Sequence, residues 1–384
     1  MILDGGIIEK QKIYLNHAAG AFPLAPGVLE AMTARMINPP QVSGRDTFGE
    51  SDDLCRCRQS LARLMNVKPE QIVLTCNATH GLNTAILGFG LKPGDLVITS
   101  VMEHNSVLRP LARLEDMFGI RAAYLPLDTD MRLDENAYDG LLMQKPRLAI
   151  LCHASNVTGR INPVASLFKK AKSAGAVTIL DASQTAGRIP VRPKELYADM
   201  TVFSGYKGLG GPLGTGVLYV APDVNLSPVF VGGTGVKSDL RLHPEEMPMR
   251  LEAGTPNTHA FAGLNAAVEY NIKKAADILN AERVMAKELY RKLKTLSHIR
   301  IFDVNCEDKL PTVSFAVEGM DTEQAGFALS ESFGICCRAG LHCAPLIHKY
   351  LGSLPEGTVR ISASYKNSPE DIEYATDALR RLKL

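Results

Sequence analysis

From about residue 70 onward, short β-branched runs alternate with amphipathic stretches. IVLTC (72–76) predicts a strand and ATHGLNTAILGFG a helix after it. DLVITSV (95–101) predicts the next strand, and SVLRPLARLEDMFG (106–119) spaces Val107, Leu108, Leu111 and Leu114 along one helical face. RLAILCHAS (147–155) follows, then a helix over VASLFKKAKSAG that stops at Gly175. VTILDAS (177–183), DMTVFS (199–204) and GVLYVA (216–221) read as further strands. Continuous apolar strands separated by helices predict an α/β unit with a mainly parallel sheet covered on both faces. Residues 222–257 are rich in Gly and Pro and read as loop, before a long helix from about Ala260 to Leu296 with a break in it. IRIFD (300–304), TVSFAV (312–317), a helix over 321–333, ICCRAG, VRISAS (359–364) and a last helix over 368–382 form a second, smaller α+β pattern. Two domains are expected, 14–255 and 256–384, joined near 245–260, with residues 1–13 an arm packing on the second.

Composition narrows the class. The chain has 384 residues, enough for a large core without disulfides or a structural metal, and a net charge of +1 argues against a nucleic-acid protein, whose affinity would depend on a basic face. A hydrophobic fraction of 46% argues against disorder. No apolar run reaches membrane-spanning length, and the opening MILDGGIIEKQKIYL lacks the basic-then-apolar order of a signal peptide. A soluble cytoplasmic protein with reduced thiols is expected. Cys55-Arg56-Cys57 is a C-x-C pair with no second pair of zinc spacing, so no metal site is expected.

Candidate chemistry clusters where apolar runs end, the edge at which open α/β sheets bind ligands. In SGYKGLGGPLGTGVLYV (204–220), Lys207 precedes the glycines and a strand follows, the reverse of a phosphate-binding P-loop. Two readings stay open: a desolvated lysine holding pyridoxal phosphate as a Schiff base, or a surface lysine beside a turn. Asp181 closes the strand in LDASQTAG (180–187) and is either the partner of a pyridinium nitrogen or a helix N-cap. Gln184 is placed to reach the phenolic oxygen of the same ring. Asn77-Ala78-Thr79-His80-Gly81 opens a helix whose free N–H groups suit a phosphate. His104 after DLVITSV, and Ser155-Asn156 after RLAILCHA, complete the edge. Each cluster alone could be a cap or a turn; together with Lys207 they point to one site.

The ordered set YLNHAA (14–19), ATHGLN (78–83), MEHN (102–105), SNVTGRINPV (155–164), LDASQTAG, FSGYKGLGGPLGTGVLY and EAGTPNT (252–258) resembles the class V, fold-type I pyridoxal-phosphate enzymes, and within them the cysteine desulfurase and selenocysteine lyase branch. The resemblance runs from about residue 13 to 380. It implies that Lys207 carries the cofactor, Asp181 pairs with its ring nitrogen and His104 stacks on the ring. It further implies that Gln184 and Asn156 contact the cofactor oxygen and the substrate, and that Thr79, His80, Ser204 and Tyr206 lie at the phosphate. Thr255 would reach the phosphate of a neighbouring subunit in a homodimer, and Arg360, with Arg338, would bind the substrate. Arg338-Ala339-Gly340-Leu341-His342-Cys343-Ala344 matches the family's nucleophile loop, so Cys343 is the implied nucleophile, with Arg338 and His342 placed to activate it. Leu341 departs from the usual pair of histidines, Tyr206 stands where a histidine is common, and His80 where an acid is common. The implied activity converts L-cysteine to L-alanine and passes sulfur through a Cys343 persulfide to an acceptor protein. The alternatives are a selenocysteine lyase, a class V aminotransferase, or a catalytically weak sulfur-relay scaffold.

Overall fold

The computed structural model describes residues 12–38, 53–303 and 308–382; residues 1–11 of the expected N-terminal arm lie outside them. In chain order the elements are β1 (Ile13–Tyr14), α1 (Val28–Ile37), α2 (Asp53–Met65), β2 (Ile72–Thr75), α3 (Ala78–Leu87), β3 (Leu96–Ser100), α4 (Asn105–Phe118), β4 (Arg121–Leu125) and α5 (Glu135–Leu142). Next come β5 (Leu148–Cys152), α6 (Val164–Ser173), β6 (Val177–Asp181), β7 (Met200–Ser204), β8 (Gly216–Val220) and α7 (Thr258–Leu293). The chain closes with β9 (Ile299–Ile301), β10 (Thr312–Val317), α8 (Thr322–Phe333), β11 (Ile335–Cys336), β12 (Arg338–Gly340), α9 (Ile347–Leu351), β13 (Thr358–Ser362) and α10 (Pro369–Arg381).

The larger sheet has seven strands in the order β2-β8-β7-β6-β5-β3-β4. Its β7, β6, β5, β3 and β4 are parallel, and β8 runs antiparallel to both neighbours. Successive residues of each strand serve opposite faces. Along β5, Ala149 and Leu151 join the core beneath α2, α6 and α7, whereas Leu148 and Ile150 join the core beneath α3 and α4. Strand β4 (RAAYL) escapes the sequence pattern because it is an edge strand, its first residue exposed and the next three half-buried.

The second sheet, β12-β13-β10-β9, is antiparallel and has its own core with α8 and α10. β1 lies on this side, with Ile13 paired to Ile335 of β11. The expected break in the long helix is absent: α7 is one helix of 36 residues, about 54 Å long. Its first half packs Phe261, Leu264 and Val268 on the larger sheet, and its second half packs Met285, Leu289 and Leu293 on the smaller. Among the described residues no helix is long and apolar enough to cross a membrane.

Candidate active site

Strands β3, β5, β6 and β7 are parallel, and β2 shares their direction because it pairs antiparallel with β8, itself antiparallel to β7. Their carboxyl ends therefore meet at one edge, where a cavity of about 500 Å³, open mouth included, is walled by Thr79, His104, Asn156, Asp181, Gln184, Ser204, Tyr206 and Lys207. The polar clusters that the sequence scatters over more than a hundred positions are thus gathered around one space.

Local chemistry explains each placement. Asn77 caps α3 by accepting from His80 N at 2.9 Å, which leaves the first turn of the helix beside the cavity. His104 caps α4: its Nδ1 accepts from Ser106 N at 3.0 Å, so the ring proton of the neutral form sits on Nε2. Ser106 Oγ also lies 2.8 Å from His104 Nδ1 and 2.6 Å from Thr79 Oγ1, tying two walls together. Asp181 Oδ1 accepts from Ser183 N at 2.9 Å, so part of the capping role is real, but a turn rather than a helix follows. Gln184 Nε2 donates to Ala18 O at 3.0 Å.

Lys207 stands in a closed excursion, residues 205–215, between β7 and β8. Gly205 N donates to Thr215 O at 2.9 Å, Gly211 N to Gly205 O at 2.9 Å and Gly210 N to Lys207 O at 2.8 Å. At Gly208 a Cβ would meet Ala186 O at 2.4 Å, so only glycine lets the backbone behind the lysine approach the Gln184 segment. Burial pulls the Lys207 ammonium down to about 8; Asp181 opposes the shift, and the positive charges of Arg360, Arg188 and Arg338 add to it. Burial, with Lys207 nearby, likewise takes His104 down to about 4, leaving a neutral ring over the cavity at ordinary pH. Glu103, beneath the floor, is fully buried and pushed up to about 8 by desolvation; its Oε1 accepts from Ser100 Oγ at 2.6 Å and Cys152 N at 3.0 Å.

The smaller sheet brings the remaining groups. Arg338 and Arg360 face each other directly across β12 and β13, two like charges that strand pairing disfavours unless an anion joins them. Arg360 is almost wholly buried and held below its usual range, at about 9, by desolvation and by Arg338. It donates through Nη1 to Asn156 O at 2.9 Å and through Nη2 to Asn16 Oδ1 at 3.0 Å, while its Nε has no hydrogen-bond partner among the described residues. Cys343 Sγ accepts from Arg338 Nη2 at 3.3 Å. The cysteine loop is docked on the cavity rim: Asn105 N donates to Cys343 O at 2.7 Å, and Asn156 Nδ2 to His342 O at 2.7 Å.

Three residues stand apart from the expected cluster. His342 turns away from the thiol; it is buried, its Nε2 lies 2.9 Å from Thr358 Oγ1, and desolvation holds it well below the usual range. Of the two expected activators, only Arg338 touches the sulfur. His80 directs Nδ1 to Cys76 Sγ at 3.3 Å and packs its ring against Phe230. Thr255 is exposed in the loop before α7 and does not line the cavity of its own chain. Cys76, beside His80, is exposed.

The aminotransferase class-V family matches residues 13–375. The chain belongs to this family. A probable cysteine desulfurase of Methanothermobacter thermautotrophicus is 30% identical over 384 residues, spanning 97% of this chain and 95% of that protein. The apo structure of a cysteine desulfurase from Thermococcus onnurineus is similar with a TM-score of 0.89 at 31% identity, covering 97% of this chain and 94% of that one. A cysteine desulfurase of Escherichia coli gives 0.85 at 30%, covering 96% and 94%. The chain thus has the fold-type I architecture of the pyridoxal-phosphate enzymes. Around this class-V site the structure adds Ser106, Ser183 and Asn16, which sequence reasoning did not single out. Asn16 lies inside the quoted YLNHAA run and Ser183 inside LDASQTAG, and those positions were the available signals.

Proposed function

We propose that this chain is a pyridoxal 5'-phosphate-dependent cysteine desulfurase that converts L-cysteine to L-alanine and leaves the sulfur on Cys343 as a persulfide. The supporting observation is the docked cysteine loop, which holds a thiol against Arg338 at the rim of a cavity containing a desolvated lysine and a buried carboxylate. The cavity suits the cofactor: Ser183 Oγ is buried there with no hydrogen-bond partner among the described residues, an orphan polar group in need of a ligand. When bound, pyridoxal phosphate supplies an electron sink for the substrate's Cα.

In this reading Lys207 holds the cofactor aldehyde, Asp181 its ring nitrogen, Gln184 its phenolic oxygen, and Thr79, Ser204, Tyr206 and the first turn of α3 its phosphate. The neutral His104 ring covers it. Arg360 and Arg338 receive the substrate carboxylate, and the charge repulsion across β12 and β13 favours an anion there. Lys207, its amine already near neutrality, takes the Cα proton. Thiolate Cys343 then attacks the substrate sulfur; the S–S bond forms as the substrate's Cβ–S bond breaks, and Cβ gains the electron pair and a proton. No oxidant is needed. Division into a large unit (14–255) and a small one (256–384), a homodimer with Thr255 at the neighbour's phosphate, a sulfur-acceptor protein and a reducing cytoplasmic setting belong to the same reading.

The test is to supply the purified protein with pyridoxal phosphate, L-cysteine and a thiol reductant, and to measure alanine and sulfide together. Equimolar alanine and sulfide, lost in Cys343→Ala and in Lys207→Ala, are expected. Pyruvate and ammonia in place of alanine, or turnover of L-selenocysteine alone, would falsify the assignment.

A further inference from the structure

The turn 155–162 carries Asn156 into the cavity wall, yet the smaller sheet and its flanks claim its backbone. Arg360 Nη1 donates to Asn156 O at 2.9 Å, Ser314 Oγ to Val157 O at 2.6 Å and Leu310 N to Gly159 O at 2.9 Å. Ile161 N donates to Asp308 O at 3.1 Å. In return, Asn156 Nδ2 holds the carbonyl of His342, next to Cys343.

Arg160 is the hub of this seam. Its Nε donates to Asp303 Oδ2 at 3.0 Å, and its Nη2 donates to Asp303 Oδ1 and to Asp130 O, the latter at 2.9 Å. Asp303 also faces Lys309 Nζ, 3.4 Å from its Oδ2, and that ammonium donates to Tyr290 OH at 2.8 Å. The side chains of Arg160, Asp303 and Lys309 are 4%, 2% and 2% exposed. Desolvating three charges is expensive, and replacing such a cluster by apolar packing is often neutral for stability. What the cluster provides that apolar packing would not is a directional, bidentate lock between two bodies.

We propose that Arg160 is a positioning residue: through Asp303 it sets the cysteine loop of the smaller sheet in register with the cavity of the larger one. This rests on the desulfurase reading. In the desulfurase reading Lys207, Asp181 and Gln184 hold the cofactor, and with it the substrate's Cα, from the larger sheet, away from the turn 155–162; Cys343 comes from the smaller sheet, so its distance to the substrate depends on the lock.

The experiment compares Arg160→Met, Asp303→Asn and Arg160→Lys in the full chain loaded with pyridoxal phosphate. Exchange of the L-alanine α-hydrogen in D₂O, measured at saturating L-alanine so that a shifted carboxylate contact at Arg360 appears in KM and not in the rate, needs Lys207 but not Cys343, whereas alanine formation from L-cysteine needs both. In Arg160→Met, exchange should stay within about twofold while alanine formation falls about tenfold or more, the scale of a misplacement near 1 Å. Arg160→Lys should recover part of the loss, and Arg160→Met combined with Asp303→Asn should be no worse than the worse of the two single variants. Equal falls in both rates, or no fall in either, would overturn the proposal. Should Arg160→Met not fold, Asp303→Asn decides by the same ratio. A third reading needs no turnover: iodoacetamide should alkylate Cys343 several-fold faster in the variants, on the order of the loosening seen when a charged hydrogen bond is lost. If the wild type makes no alanine from L-cysteine, the activity assignment fails, and an unchanged alkylation rate is then what would sink the lock.

Discussion

His342 and Cys343 both occupy the left-handed region, with φ of +52° and +58°. Such backbone costs an L-residue about 1–2 kcal/mol, so neighbours must hold it, and here the donors are Asn105 N, Asn156 Nδ2 and the His342–Thr358 bond. The same geometry explains why sequence adjacency misled for His342: this backbone sends its side chain into the core while Cys343 stays at the rim. Lys207, Asp181, Gln184 and His104 were legible because each interrupts or follows an apolar strand, where a polar group needs a reason. Ser106 was not, since a bridging hydroxyl has no periodic signature. It nonetheless links His104 and Thr79. Ser106→Ala should therefore weaken pyridoxal phosphate binding about two- to tenfold, the worth of one net hydrogen bond, with kcat little changed at saturating cofactor. An absorbance titration with the cofactor measures it.

At the level of elements, periodicity located most strands of the larger sheet, the long helix, α8 and α10, but not the five-residue α9. It failed at edge strand β4 and expected a break in α7, which instead runs unbroken through a solvent-facing stretch, residues 273–277, in its middle. The turn at Gly159 is read more easily from the structure: φ is +75°, and a Cβ would meet Leu310 O and Thr312 O at 2.8 Å. Gly159→Ala should cost about 2 kcal/mol or more, left-handed strain plus the clash. Urea denaturation checks this. A shift in the midpoint with an unchanged slope is expected, because the compactness of either end state is not altered.

Over the whole molecule, a second set of buried groups makes the fold sensitive to acid. Burial holds His17 at about 3, and His104 and His153 at about 4, below the ordinary 6.5. As pH falls from 6.5 towards 4, the unfolded chain takes up protons that the folded chain refuses, so stability is lost across that window. Glu103 acts oppositely: the folded chain keeps its proton up to about 8, so its contribution declines as pH rises from 4.5 to 8. Burial raises Glu282 in the same direction as Glu103, but with the histidines outnumbering these two acids, the melting temperature of the cofactor-free protein should drop on acidification below about pH 6. His153→Gln should flatten that slope, removing about 3 kcal/mol of linkage; circular dichroism melts at a series of pH values give the answer, and an unchanged slope would refute it. The closed excursion 205–215 has a different consequence. Both of its ends are pinned to β7 and β8, and among the described residues no hydrogen bond ties it to the cysteine loop, so the proposed cofactor lysine is held independently of Cys343. Gripping a ring and presenting a thiol are thus separable inheritances. A descendant could exchange residues 341–344 and acquire a new reaction while its cofactor grip stayed intact, which gives selection a cheap place to experiment.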